Sequence, residues 1–416
     1  PVMYTFNKPI HTLFFLVFLL LPESTSILAQ EVTWKGFVSS ESYFDSKEAV
    51  ASREADVLLY PKRPVFDNLN NDQTDIRSFH MVSFNSRLQA KASDFEAFGA
   101  TSSAVIEIDF LGTGENYVNM IRMRHAFVKL KWEKSTVLMG QYWHPMFITS
   151  SYPEVLGWGG AAPVNVLSRN PQVRFTYDFN SRFSANISAL SHRDFTSNGP
   201  DGYSSKYIRN SGLPELNLQM QYSLPNVTGG FTIGTKSIKP CISTPSGNML
   251  NETLQSWQSN VYVKLNTSLI TAKVVGIYGQ NLTNLLMIGG YAERTVEPDM
   301  ITYTNLLTSS YWTEISTNGE TVQAALFAGV SVNHGASEEL ALTDGTLTAN
   351  IYGRGTDIAS LYRVAPRITF KNGPLLWGFE FTWSAANYGT PDSFGNVIDT
   401  ELAHMYRMQL AAKYTF

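Results

Sequence analysis

Positively charged side chains recur at alternate positions in several short segments of this chain. Guanidinium and ammonium groups bind carboxylates and phosphates. If the face that carries them borders water, an excess of arginine favours anions. The alternative is that these charges pair with acidic neighbours and only keep that face wet. The cations are Arg87, Lys91, Arg174, Arg363, Arg367, Arg407 and Lys413, and the acids of the same face are Glu107, Asp109, Asp178 and Glu380.

Residue types that support catalysis or metal binding do not occur at the required spacings. The seven histidines are scattered along the chain, and no G-x-S-x-G motif is present. Gly157-Trp-Gly-Gly lacks the Gly-Lys-Ser/Thr of a phosphate-binding loop. The single cysteine, Cys241, excludes an internal disulfide and a cysteine-based zinc site. We predict no catalytic residue, metal or cofactor; the alternative is a Ser–His pair that is distant in sequence, as a lipid hydrolase would need.

The composition limits the class of protein. The chain has 416 residues and a net charge of −4; 16% of its residues are charged and 13% are aromatic. An average soluble domain has about 25% charged residues. The nearly balanced charge gives no reason to expect a nucleic-acid partner.

The elements that position the charges are best seen at the C-terminal end, residues 403–416. Its apolar residues fall on one face and its polar residues on the other, as the period of two in a β-strand requires. A barrel strand in a lipid bilayer has this pattern, because its outer face meets hydrocarbon and its inner face meets water. The apolar set is Met408, Leu410, Ala412, Tyr414 and Phe416, and the polar set is Arg407, Gln409, Lys413 and Thr415.

Similar alternation predicts sixteen strands of an antiparallel transmembrane β-barrel, an even number as in bacterial single-chain barrels. An eighteen-stranded barrel is the alternative if Leu286–Ala292 forms a strand. The predicted strands are 31–44, 77–92, 101–111, 118–131, 135–142, 170–180, 183–192, 214–223, 229–238, 255–267, 269–281, 304–316, 320–332, 358–370, 374–387 and 403–416.

The connections between these strands alternate between short turns and long loops. Short turns on one side and long loops on the other are typical of outer-membrane barrels, with the turns in the periplasm. The predicted long loops are 45–76, 143–169, 193–213, 239–254, 282–303, 333–357 and 388–402.

The segment 118–131 does not keep a single alternation. Arg122 and Arg124 share one parity, whereas Lys129 and Lys131 share the other. A β-bulge between the two pairs would place all four side chains on the same face. The alternative is that one pair lies at a membrane interface.

The loop 143–169 is long and rich in aromatic residues, with Glu154 as its only acid and Arg169 at its end. Its apolar content argues against free exposure to solvent. We predict that it folds inward and narrows the lumen of the barrel. The alternatives are an ordinary surface loop and a loop at a subunit contact.

Residues 1–29 have the features of a secretory signal peptide. Lys8 and His11 precede an apolar run from Leu13 to Leu21, and cleavage is expected after Ala29, which leaves 30–416 as the barrel. The run is shorter than the ~20 apolar residues of a membrane-spanning helix. A signal peptide without a spanning helix is compatible with a secreted soluble protein or with a β-barrel.

Five stretches point to a known family: Gly36–Val38 with Tyr43–Ser46, Arg124–Leu130, Gly140–Phe147, Ser168–Arg174 and Gly276–Asn281. They resemble the outer-membrane porins of Bacteroidetes, which are similar to DcaP-like porins. The resemblance covers nearly the whole mature chain and implies a sixteen-stranded barrel, usually a trimer, for small hydrophilic solutes. It further implies small carboxylates as solutes, with Arg122, Arg124 and Arg174 as candidate binding residues. The N-terminal coiled coil that is common in the DcaP group is not visible between Gln30 and Trp34.

These features together predict an integral porin of the Gram-negative outer membrane. Passive diffusion through a wet lumen needs neither a cofactor nor covalent chemistry. Expected partners are outer-membrane lipid, two further copies of the chain, and the barrel-assembly machinery, which would recognise Phe416. A barrel enzyme and a soluble secreted β-protein are the alternatives; the latter requires that protein covers Leu375, Trp377, Phe379 and Phe381.

Overall fold

The computed structural model describes residues 32–416, so the predicted signal peptide lies outside the described residues. The wall of the molecule consists of sixteen strands, numbered here in chain order. They are β1 (Val32–Asp45), β2 (Ser78–Val82 and Arg87–Ala97), β3 (Ala100–Asp109), β4 (Arg122–Lys131), β5 (Ser135–Trp143), β6 (Arg169–Asp178), β7 (Phe183–Leu190), β8 (Glu215–Ser223), β9 (Val227–Ile238), β10 (Leu254–Asn266), β11 (Ile270–Gln280), β12 (Met300–Thr317), β13 (Val322–Ala336), β14 (Ile358–Asn372), β15 (Leu375–Pro391) and β16 (Val397–Thr415).

The strands close into a barrel. Each strand pairs antiparallel with the next, and β1 pairs with both β2 and β16. In the closing pair, Phe37 lies opposite Thr415 and Asp45 lies opposite Arg407. Closure leaves no strand edge of the wall unpaired, as a sheet in an apolar solvent requires. The prediction of a sixteen-stranded antiparallel barrel is confirmed.

The segment that would have raised the count to eighteen belongs to a loop. Gly289–Glu297 pairs with the first part of β12 and with the loop strand Ile351–Arg354, whereas β11 pairs directly with β12. Tyr291 packs against the rings of Tyr303 and Tyr352, with ring centroids 5.7 and 5.3 Å apart. This apolar run is therefore covered by other loops, which explains why its hydrophobicity does not indicate a wall strand.

The two faces of the wall differ in chemistry. On β16, Leu410 and Tyr414 are 48% and 52% exposed, while Arg407 and Gln409 are buried in the interior. On β15, Trp377 and Phe379 are likewise exposed on the outer face, and no part of the described chain covers them. In water this apolar surface would carry a large free-energy cost, whereas hydrocarbon would cover it without one.

Short turns and long loops lie at opposite ends of the barrel. Turns of two to four residues follow each even-numbered strand up to β14, for example 98–99 between β2 and β3 and 373–374 between β14 and β15. The prediction of a long loop at 388–402 was wrong. The strands β15 and β16 continue as a hairpin and leave only 392–396 between them. The Asp392 carboxylate closes this turn by accepting the N–H groups of Phe394 and Asn396, both at 2.9 Å.

The bulge expected in β4 is present. A register shift between Glu107 and Ile108 on β3 leaves Arg124 as an extra residue on β4. The shift reverses the alternation of the strand at this point. All four basic residues of the strand consequently lie on the inner face: Arg122, Arg124, Lys129 and Lys131.

Helices are a minor part of residues 32–416. They comprise the α-helix Lys206–Ser211 and the 3-10 turns Glu115–Tyr117 and Leu282–Leu285. None of the helices in this range has the length and apolar character needed to cross a membrane.

Two loops fold into the barrel and contribute to its buried core, which also includes Leu282 and Leu285–Ile288 of the loop between β11 and β12. The loop 144–168 contributes Met146, Phe147 and Val164 to this core. The second is the loop 46–77, which forms a hairpin of Ala49–Ser52 and Val57–Pro61. The inward fold of the first loop was predicted from its apolar content, whereas that of the second was not.

Candidate pore constriction

The loop 144–168 crosses the interior and is hydrogen-bonded to the wall through its backbone. At its start, the carbonyl of Pro145 accepts a hydrogen bond from Gln219 at 3.0 Å and that of Met146 accepts one from Asn260 at 2.9 Å. On the return, the carbonyl of Val164 accepts one from Ser310 at 2.6 Å. The strands β8, β10 and β12 thus fix the path of the loop.

The tip of the loop is held by two buried carboxylates on the far wall. The N–H of Glu154 donates to Glu314 on β12 and the N–H of Leu156 donates to Glu380 on β15, both at 2.9 Å. Glu314 also pairs with Lys273 on β11 at 2.8 Å, and Lys273 lies 3.3 Å from the carboxylate of Glu154. The tip is therefore attached to three strands of the wall.

Two glycines of the wall make room for the loop. A Cβ atom on Gly378 would lie 2.8 Å from both methyl carbons of Leu156, and one on Gly329 would lie 2.5 Å from a methyl carbon of Val164. These distances are far below van der Waals contact. The small residues on the inner face of β13 and β15 therefore let the loop pack directly against the wall.

The base of the loop is anchored by a buried carboxylate between two histidines. Glu215 on β8 accepts hydrogen bonds from Nε2 of His144 and of His192, each at 2.7 Å. Nδ1 of His144 accepts the N–H of Met146, which assigns the proton of a neutral His144 ring to Nε2. His192 belongs to the following loop, where burial lowers its pKa below the usual value.

Six of the predicted residues meet in one cluster near this base. Arg122 binds Asp109 through two contacts of 3.0 and 2.5 Å. Arg124 lies between Glu107 at 2.7 Å and Asp109 at 3.0 Å. Paired and buried in this way, these arginines have most of their charge offset by the acids. The other two members of the cluster are Arg87, whose Nε lies 3.6 Å from Glu107, and Arg169, which binds Asp194 at 2.8 Å.

The indole ring of Trp158, from the inward loop, lies in the middle of this cluster. The guanidinium carbons of Arg122 and Arg169 lie 4.8 and 5.5 Å from its centroid, and that of Arg53 lies 5.6 Å away. Arg53 comes from the loop 46–77, and burial lowers its pKa to about 10. The ring thus connects both inward loops to the arginines of the wall through cation–π contacts.

Four further predicted arginines hold backbone carbonyl groups. Arg363 donates to the carbonyls of Ala162 and Leu59 at 2.8 and 2.6 Å, so it bridges both loops. Arg367 donates to the carbonyl of Glu154, and Arg174 donates to that of Trp143 at 2.7 Å. Arg407 pairs with Asp45 at 2.7 Å and donates to the carbonyl of Ala55 at 2.8 Å. The remaining predicted residue, Asp178, lies at the turn end of β6, away from the loops.

Sequence reasoning missed several buried acids of the interior. Glu41 and Asp45 on β1 and Glu314 on β12 lie on the inner parity of their strands, which was a usable signal. Asp56 is in the loop 46–77, where its carboxylate accepts hydrogen bonds from Tyr43 and Asn85. Burial raises the pKa of Asp56 to about 7. No pattern in the sequence indicates that this loop enters the barrel.

An open cavity of about 500 Å³ remains between the inward loop and one side of the wall. The wall contributes Phe37, Arg87 and Lys413, and the loop contributes Tyr152 and Glu154. Charged and aromatic side chains thus line this cavity together with apolar residues of the loop such as Val155 and Leu156. Towards the short turns, the inner face carries the basic residues Lys35, Lys91, Lys129 and Lys131.

Metal binding has little support in this interior. Residues 32–416 contain no group of three His, Cys, Asp or Glu side chains arranged to hold a metal ion.

Comparisons with known proteins give likeness in structure only. No family model matches the chain, and no curated protein matches it in sequence. The outer membrane channel DcaP of Acinetobacter baumannii superposes with a TM-score of 0.69 at 16% identity, covering 95% of this chain and 100% of that one. An anion-selective porin from Comamonas acidovorans gives 0.56 at 8% identity, covering 93% and 100%. The trimer form of OmpT, an outer membrane protein of Vibrio cholerae, gives 0.54 at 10% identity, covering 93% and 100%. At these identities the likeness establishes the fold of outer-membrane porins.

Proposed function

We propose that this protein is an outer-membrane porin through which small hydrophilic solutes diffuse passively. The observation that carries the proposal is the loop 144–168, which crosses a closed barrel and leaves a cavity of about 500 Å³ lined by polar and aromatic residues. A loop that is held at several points around the wall would narrow the passage without closing it. The exposed apolar outer face fits insertion in a bilayer.

The charge of the lumen favours anions. Inner-face cations near the short turns have no acidic partner within ion-pair distance among residues 32–416; they include Lys35, Lys91, Lys129 and Lys131. Low-dielectric walls focus the field of such charges into the passage. One structural neighbour is described as anion-selective. We infer the same preference for this chain, with small carboxylates among its solutes.

The proposal also covers the oligomeric state, the kinship and the membrane insertion of the protein. We infer a homotrimer, as in the trimer form of OmpT, with a kinship to the porins of Bacteroidetes. Phe416 pairs with Gly36 through two backbone hydrogen bonds of 3.0 Å and stays 56% exposed, so its ring is accessible to barrel-assembly machinery and to lipid.

The hydrolase alternative has weaker support. Ser309 and His334 lie on the outer face, with Oγ and Nε2 2.7 Å apart. Ser309 is only 3% exposed, and none of the described carboxylates forms an ion pair with His334. A Ser–His pair without an orienting acid and without access to substrate lacks the parts that acyl transfer needs.

Planar-bilayer recording of the purified protein tests the proposed function. We expect stepwise openings in groups of three and, under a KCl gradient, a reversal potential that indicates anion preference. Failure of a correctly folded barrel to conduct would overturn the proposal. Hydrolysis of phospholipid by the wild type, and its loss in Ser309→Ala, would favour the enzyme instead.

A further inference from the structure

Several arginines of the constriction are held by carboxylates. Arg122, Arg124 and Arg407 contact carboxylates at 3.0 Å or less and are almost fully buried. A carboxylate at this distance fixes a cation but also offsets most of its field in the lumen. These arginines, which were expected to attract anions, are therefore poorly suited to do so.

The aromatic ring of Phe37, on the inner face of β1, contacts two cations. The guanidinium carbon of Arg87 lies 5.1 Å from the centroid of its ring, and Nζ of Lys413 lies 4.4 Å from the same centroid. Arg87 comes from β2 and Lys413 from β16, the two neighbours of β1. Both distances are typical of cation–π contacts. The ring carries no net charge, so it positions the cations and leaves their field intact.

All three of these side chains line the open cavity. Within residues 32–416, no carboxylate lies within ion-pair distance of Lys413, and the contact of Arg87 with Glu107 is long, at 3.6 Å. Glu107 is already engaged by Arg124 at 2.7 Å and by Gln89 at 2.9 Å. Of the three cations that line the cavity, Arg87 and Lys413 are therefore less compensated than Arg124.

Two acids also line the cavity, and both have partners. Glu154 lies 3.3 Å from Lys273. Glu41 accepts hydrogen bonds from Tyr43 on its own strand and from Gln409 on β16. Neither carboxylate forms an ion pair with Arg87 or Lys413.

We propose that Phe37 is a positioning residue for charge selectivity: its ring holds Arg87 and Lys413 as a weakly neutralised cation pair that draws anions into the constriction. The inference rests on the proposed porin function. Without the ring, the flexible Lys413 side chain is free to turn towards Glu41, and Arg87 is free to shorten its 3.6 Å contact with Glu107. The charges then remain in the protein, but their field in the passage falls.

Reversal potentials in planar bilayers under a KCl gradient test this inference. For Phe37→Leu we expect the anion-to-cation permeability ratio to fall about two- to fivefold, the factor expected from the loss of one cation–π contact. Phe37→Tyr keeps the ring and is expected to keep the wild-type ratio. An unchanged ratio in Phe37→Leu would overturn the inference, as would a cation-selective wild type.

A second pair of variants leaves the ring in place and covers the case in which Phe37→Leu does not fold. Lys413→Gln and Lys264→Gln each remove one inner-face lysine, but only Lys413 contacts Phe37. We expect the larger loss of anion preference in Lys413→Gln, and equal losses would contradict the inference. A wild-type barrel that does not conduct would instead refute the porin function itself, so the two failures are distinguishable.

Discussion

The backbone N–H of Leu156 donates a 2.9 Å hydrogen bond to the buried carboxylate of Glu380, although 224 positions separate the two residues in the chain. This bond attaches the tip of the inward loop to the opposite wall. Its acceptor lies on β15, where Glu380 stands opposite Arg367 of β14 and also accepts a hydrogen bond from Thr382. The position of the loop tip therefore depends on the wall as much as on the loop.

Replacing Glu380 with alanine should loosen the loop tip. The N–H of Leu156 would lose its acceptor, and an unsatisfied buried donor costs about 1–3 kcal/mol. We expect a lower apparent melting temperature and a larger single-channel conductance with more frequent fluctuations. Glu320→Ala, in the turn between β12 and β13, is the matched control. Unchanged conductance and stability in Glu380→Ala would show that the tip is held elsewhere.

Gly378→Ala should displace the loop by a steric effect. The new Cβ would lie 2.8 Å from the methyl carbons of Leu156, and overpacking of this kind costs about 1–3 kcal/mol. Gly276→Ala on β11 is the control, because its Cβ would meet Tyr311 at an ordinary 3.4 Å. We expect a loss of thermal stability only at position 378, and its recovery in the double variant Gly378→Ala, Leu156→Ala. No recovery in the double variant would refute the steric explanation.

Arg122→Gln should destabilise the barrel strongly. It would leave the fully buried Asp109 with only Arg124 as a charged partner, and removal of one member of a buried ion pair costs about 3–5 kcal/mol. Asp109→Asn in the same chain is expected to restore part of the loss, because no unpaired charge would remain. A double-mutant cycle from urea unfolding in detergent measures the coupling. Additive effects would contradict a direct interaction.

The carboxyl group of Asp56 should make the free energy of unfolding depend on pH. The dependence is expected between the pKa of this group in the unfolded chain and its pKa in the folded protein. Its folded pKa of about 7 exceeds the unfolded value of 3.8, so the folded state binds the proton more tightly. This contribution is fully present below about pH 4 and is lost as the pH rises through 7. We expect melting temperatures to fall over this range, and the fall to be smaller in Asp56→Asn. Equal pH profiles for both proteins would place the titration at another group.

The wall of the barrel was predictable because lipid and water impose a strict alternation on its strands. Sixteen strands follow from that signal, and the register shift at Arg124 follows from its local failure. The hairpin of β15 and β16 was predicted too short at its outer end. At that end Asp399 and Glu401 are exposed. Outside the bilayer both faces of the hairpin meet water, so the alternation of apolar and polar residues disappears.

The sequence predicted which side chains face the interior, but not which groups they bind there. The inner face of Arg363 and Arg407 could be assigned from the sequence, but these residues bind carbonyl groups of Leu59, Ala162 and Ala55. Every residue has a backbone carbonyl, so no sequence motif can identify the one that an arginine binds. The anchor formed by His144, His192 and Glu215 was missed for a related reason, since its members are distant in sequence and meet only after the wall has closed.

The wall holds the crossing loop mainly by main-chain groups: the carbonyls of Pro145, Met146, Ala162 and Val164 and the N–H groups of Glu154 and Leu156. Such contacts are indifferent to most side chains of the loop. Residues that face the passage, such as Tyr152, can therefore be exchanged while the strand-to-loop scaffold stays as it is. The strands therefore form a scaffold that tolerates substitutions in the loop. A pore with a different selectivity could be engineered by replacing a few loop residues without changing any strand.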